Sequence, residues 1–194
     1  MTGDEWVDQA IVHEAGHILI GLAFQLPIHG MAVELTIVGG RIKLGNFITE
    51  SKEPPDEQLP HLPESLREHY KLFVGGGLAG NLFSGHEVTD ESLQNDRLKL
   101  KRVGQESLEE VAEKSLAILK DNPEIFQRLV DAIEQRFLRL MKGPYLNTGK
   151  HRILNEQELK NLCGIRAPDA EKKSTPDRVH SADGVSDSES IPSP

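Results

Sequence analysis

The hydrophobic pattern predicts a chain of helices interrupted once by strands. A first helix opens at Thr2 or Asp4 as N-cap and runs to about Gln25, where Pro27 ends it. Over 32–50 the period changes. Val33, Leu35 and Ile37 alternate with polar residues, Gly39-Gly40 makes a turn, and Ile42 and Leu44 alternate again before Phe47 and Ile48, which is a β-hairpin pattern. The proline-rich stretch 51–63 reads as a loop, and Pro63 opens a second helix with Leu66, Tyr70, Phe73, Val74 and Leu78 on its apolar side, ending near Ser84-Gly85. A third helix is expected from Thr89 or Asp90, with Leu93, Leu100 and Val103 as its apolar positions. Two more follow, one on Leu108, Val111, Ala112, Ser115, Ile118 and Leu119, the next on Ile125, Phe126, Leu129, Ile133, Phe137 and Leu140. Asn155 and Glu158 form a capping-box pattern ahead of a short last helix holding Leu159 and Leu162. The expected class is α+β, mainly α-helical, with one small β-sheet, the hairpin.

Composition changes this picture at one end. Only 37% of the 194 residues are hydrophobic, which is low for a packed domain. The C-terminal stretch is rich in serine, proline and charge and shows neither helical nor strand period, so it cannot bury enough apolar surface to offset its ordering entropy. The expected organisation is therefore one domain over 1–165 and a disordered acidic, Ser-Pro-rich tail over 166–194. The net charge of -9 argues against a nucleic-acid partner. The apolar stretch from Ile18 to Leu26 is far short of the ~20 residues that span a bilayer, and the acidic N-terminus does not resemble a signal peptide. A cytoplasmic location is expected. The single cysteine, Cys163, allows no internal disulfide and reads as a buried structural thiol.

The chemistry lies in the first helix, at His13-Glu14-Ala15-Gly16-His17. Histidines at i and i+4 stand one turn apart on one face, so both imidazoles can reach a single metal ion. This HExxH pattern is that of zinc peptidases, in which the glutamate beside the histidines takes a proton from a water activated by the metal. A catalytic zinc needs a third protein ligand and an open position. The metzincin pattern would place a histidine where Ala23 stands. Glu34 lies in the hairpin pattern, and His86 and Asp90 are conceivable loop ligands. Asp96 is the strongest candidate: it shares the apolar face of the third helix with Leu93 and Leu100, where an unpaired carboxylate would be costly. Periodicity alone also admits Asp96 as a helix-edge residue reaching solvent or an arginine.

These motifs follow one another in a familiar order. HEAGH, a hairpin carrying RIKLG, a helix ending GGGLAGNLFSG and a helix holding Asn95-Asp96 together resemble the proteolytic domain of the FtsH-type, AAA-linked zinc metallopeptidases over about residues 8–165. The resemblance implies a mainly helical fold with a small sheet beside the metal, His13, His17 and Asp96 as ligands of one Zn2+ per chain, and Glu14 as the base. It implies too that the second hairpin strand, around Leu44, Gly45, Asn46 and Phe47, flanks the cleft and pairs with an extended polypeptide substrate. The chain departs from the family where Asn81 stands in place of an acidic residue and where VTDESLQND replaces the usual Thr-Thr-Gly-Ala. It contains no GxxxxGK[ST] loop.

The expected activity is thus that of a zinc-dependent endopeptidase acting on unfolded or short peptides without an ATPase. The alternative is a catalytically weak zinc-containing module that binds a partner protease. Either a homo-oligomer or a partner protein is compatible with the sequence. Gly75-Gly76-Gly77 lies inside a helical pattern and reads as a site of close helix packing rather than a phosphate loop.

Overall fold

A computed structural model describes residues 2–52, 54, 57–89, 92–104, 107–144 and 146–164. The expected tail over 166–194 and Asp90 lie outside the described residues. The element order is α1 (Glu5–Ala23), β1 (Ile28–Val38), β2 (Arg41–Ser51), α2 (Glu64–Ser84), α3 (Gln94–Arg102), α4 (Leu108–Asp121), α5 (Pro123–Met141), β3 (Gly149–Asn155) and α6 (Glu156–Leu162). The class is α+β and mainly α-helical, with one small antiparallel sheet. No helix among the described residues is long and apolar enough to cross a membrane.

α1 is the central element. Its cap is Asp4, whose side chain accepts from the N–H groups of Trp6 and Val7, and it stops at Ala23 rather than near Gln25. Gln25 instead turns the chain with φ +56 before Pro27 forbids further helix. Ile11, Val12, Ala15, Ile18 and Ile20 are fully buried, because α1 packs on α2, α4, α5 and β2. The approach of α1 to α2 is a backbone contact. A Cβ on Gly16 would run into the carbonyl oxygen of Gly76, and one on Gly80 into that of Val12. Glycines at these positions let the HExxH helix lie flush against α2, as the triple glycine suggests.

The sheet has a strand beyond the hairpin. β1 lies in the middle of the order β2-β1-β3, and β3 pairs with it from Gly30 to Leu35. The GKHRILN segment hides its strand character because only Ile153 and Leu154 are apolar, and they are adjacent; a register shift opposite Met31 and Ala32 accommodates them. β2 is thereby an edge strand. Phe47 anchors it to the helical layer, with its ring 5.2 Å from that of Phe137 on α5. Glu50 of β2 reaches over β1 to Lys150 and Arg152 of β3 at 2.7 and 2.5 Å. Gly30 leaves the space for this crossing, since a Cβ there would meet the Glu50 carboxylate at 3.0 Å. α3 begins at Gln94, later than the Thr89 or Asp90 start expected, and buries Asp96 and Leu100. The Asn155–Glu158 capping box is formed in full at the start of α6.

Candidate metal centre

His13 and His17 stand on one face of α1, as their spacing requires, with their Nε2 atoms 3.1 Å apart. Asp96 comes to them from α3. Its Oδ2 lies 3.3 Å from Nε2 of His13 and 3.4 Å from Nε2 of His17. The three ligand atoms fall within 4.8 Å of one another, a separation one cation can bridge. Asp96 is 4% exposed, so it is not a helix-edge residue reaching solvent. The adjacent Arg97 turns outward to Glu109, at 2.6 Å.

The surroundings suit a metal. Oδ2 of Asp96 is buried and receives no well-directed hydrogen bond, which is costly for a carboxylate unless a cation completes the site. Nδ1 of His17 donates to the carbonyl oxygen of Phe73 at 2.8 Å, leaving the Nε2 lone pair facing Asp96 and His13. Orientation of this kind through the second ring nitrogen is how metal-binding histidines are usually held. Gly77 keeps the space open, for a Cβ there would fall 2.6 Å from Nε2 of both histidines. Burial opposes protonation of His17, but the Asp96 carboxylate beside it outweighs that and raises its pKa above the ordinary imidazole value. Burial likewise opposes ionisation of Asp96, yet the two histidines hold its carboxyl well below the usual carboxylate range. The donor set of two imidazole nitrogens and one carboxylate oxygen fits Zn2+ and is compatible with other divalent transition metals.

Asn81 occupies the far side of His13. Its Nδ2 lies 3.2 Å from Nδ1 of His13 and donates to the Gly77 carbonyl oxygen at 3.2 Å, while its Oδ1 is buried without a partner. With the amide so placed, Asn81 offers Nδ1 of His13 a donor, whereas a histidine that binds metal through Nε2 needs an acceptor there.

Glu14 points away from this triad toward β2. Its Oε2 accepts two hydrogen bonds from Thr49, from the backbone N–H at 2.8 Å and the hydroxyl at 2.5 Å. Between α1, β2 and α3 opens a cleft of about 570 Å³, lined by the triad, Glu14, Trp6 and Lys99 among others. Asn46 and Phe47 line it, together with Ile48 and Thr49; Leu44 and Gly45 lie farther along β2 toward the hairpin tip, outside its lining. Of the other ligands weighed, Glu34 is exposed on β1 and His86 follows α2 outside the triad.

Sequence reasoning missed two residues. The Phe73 contribution is a backbone carbonyl and leaves no mark in residue type. Thr49 left a weak one: it follows Phe47 by two positions, so the two direct their backbone groups to the same edge of β2. Cys163 is partly rather than fully buried, and that burial pushes its thiol up to about 11, away from the reactive thiolate. No family model, curated protein or solved structure matches the chain.

Proposed function

We propose that this chain is a zinc-dependent metallopeptidase of the FtsH-type class, hydrolysing unfolded or short peptides. The observation that carries the reading is the meeting of His13, His17 and Asp96 beside Glu14 in an open cleft, from two elements far apart in sequence. His13, His17 and Asp96 would hold the ion. When bound, zinc acts as a Lewis acid toward a peptide carbonyl and acidifies water. Glu14 accepts the proton of the attacking water and returns it to the departing amide nitrogen. The outer edge of β2 offers backbone groups to an extended peptide, which explains how unrelated sequences could be bound. Phe73 keeps His17 in the tautomer with a free Nε2.

Asn81, in place of a carboxylate, favours the alternative of a weakly active zinc module that docks on a partner protease. One experiment separates the two. Protein loaded with zinc is incubated with unfolded casein, and Glu14→Gln is the comparison. The peptidase reading expects fragments from the wild type, none from Glu14→Gln, and equal zinc in both. Zinc-loaded wild type that cuts no more than Glu14→Gln sinks it.

A further inference from the structure

We infer that Thr49 is the positioning residue of Glu14, clasping one oxygen of the base to the edge of β2 and so deciding which oxygen handles the proton; the catalytic half of this inference rests on the metallopeptidase reading. Glutamate has three rotatable side-chain bonds, and a base must be held to within about 0.5 Å of its working position. Among the described residues, the hydrogen bonds to the Glu14 carboxylate come from Thr49 of β2. Both fall on one atom, Oε2, from the Thr49 N–H at 2.8 Å and its hydroxyl at 2.5 Å. Oε1 takes no part in these two bonds and is the oxygen left for the proton. Threonine suits the task because its β-branch stiffens χ1 and keeps the hydroxyl aimed at the carboxylate.

The clasp also limits substrate docking. β2 is an outer strand of the sheet, the one that borders the cleft, so its outward N–H and C=O groups are those a peptide strand would use. The N–H of Thr49 is one of these, and it is spent on Glu14. A peptide adding to this edge pairs at Phe47, whose backbone groups point the same way, and passes the Thr49 N–H without bonding to it. Base and substrate thus occupy consecutive stations on one strand.

Two measurements test this on the full chain. Amide hydrogen exchange reads the clasp without catalysis: the Thr49 amide is protected in the wild type and exchanges at least tenfold faster in Glu14→Ala, with neighbouring β2 amides unchanged. Kinetics with oxidised insulin B chain and zinc-loaded protein read its consequence. Displacing a catalytic group by about an ångström costs on the order of a hundredfold, so Thr49→Val should lose roughly ten- to a hundredfold in kcat at unchanged KM and zinc content. Thr49→Ser, which restores the hydroxyl, should recover most of it. Exchange at Thr49 that ignores Glu14→Ala overturns the clasp whether or not the protein is active. Thr49→Val with wild-type kcat, or Thr49→Ser as impaired as Thr49→Val, overturns its positioning role. A wild type that cuts nothing defeats the peptidase reading instead, and the exchange result still decides the clasp.

Discussion

Gly77 stands so close to the imidazole of His13 that a Cβ on it would fall 2.6 Å from Nε2. Gly80, one turn further along α2, faces the backbone carbonyl of Val12 instead. The same substitution at the two positions should therefore have different consequences. Gly77→Ala displaces side chains that can swing aside, so the fold survives while metal affinity falls at least tenfold. Gly80→Ala pushes two helix backbones apart, and overpacking of that kind costs about 1–3 kcal/mol. Thermal unfolding of the apoprotein and zinc titration of both variants check the contrast.

Asn81 offers a second handle on the site. A histidine that binds metal through Nε2 carries its proton on Nδ1 and needs an acceptor there. The carboxamide now presents Nδ2 to His13, with Oδ1 unpartnered. Asn81→Asp supplies an acceptor and should tighten zinc binding roughly tenfold, within the range that such outer partners command. Asn81→Leu supplies none and should weaken it. A zinc chelator competition reads both, and equal affinities in the three proteins would exclude this role.

How much of this was legible beforehand differs from element to element. α1, the hairpin and α2 follow from strong periodicity and from Asp4, Gly39-Gly40, Pro63 and Gly85, although α1 stops at Ala23, short of Gln25, and β1 already starts at Ile28, ahead of the alternation that begins at 32. Asp96 was visible because a carboxylate sat on an otherwise apolar helix face. β3 was not, since its two apolar residues are adjacent and its pairing depends on β1, more than a hundred residues earlier in the order of the chain. The roles of Thr49 and Phe73 are carried wholly or partly by backbone groups, which every residue type possesses and only the tertiary structure aims.

The Glu50 clasp predicts a pH dependence of stability. Burial works to raise its pKa, but Arg152 and Lys150 outweigh that and hold it below the ordinary 4.5. A carboxyl with a lowered folded-state pKa stabilises the fold above the unfolded value and loses that contribution as pH falls through the folded one. Both partners are more than half exposed, so the pairs are screened and contribute about 1 kcal/mol at most. Glu50→Gln should be less stable than wild type by up to that amount at pH 7, and the gap should close once the pH drops below the folded pKa. Urea unfolding at neutral and acidic pH measures it.

A bound ion should stabilise the native state, because the unfolded chain does not hold His13, His17 and Asp96 together. At a hundredfold excess of zinc over its Kd the gain is about 2.7 kcal/mol. The melting temperature should rise with added zinc and fall back with chelator, and His17→Ala should abolish the response.

The most direct test is the zinc content per chain of the wild type, Asp96→Ala and Glu14→Gln after identical loading and desalting. The account predicts one zinc in the wild type, one in Glu14→Gln, and little or none in Asp96→Ala. Full zinc in Asp96→Ala, or none in the wild type, would contradict it.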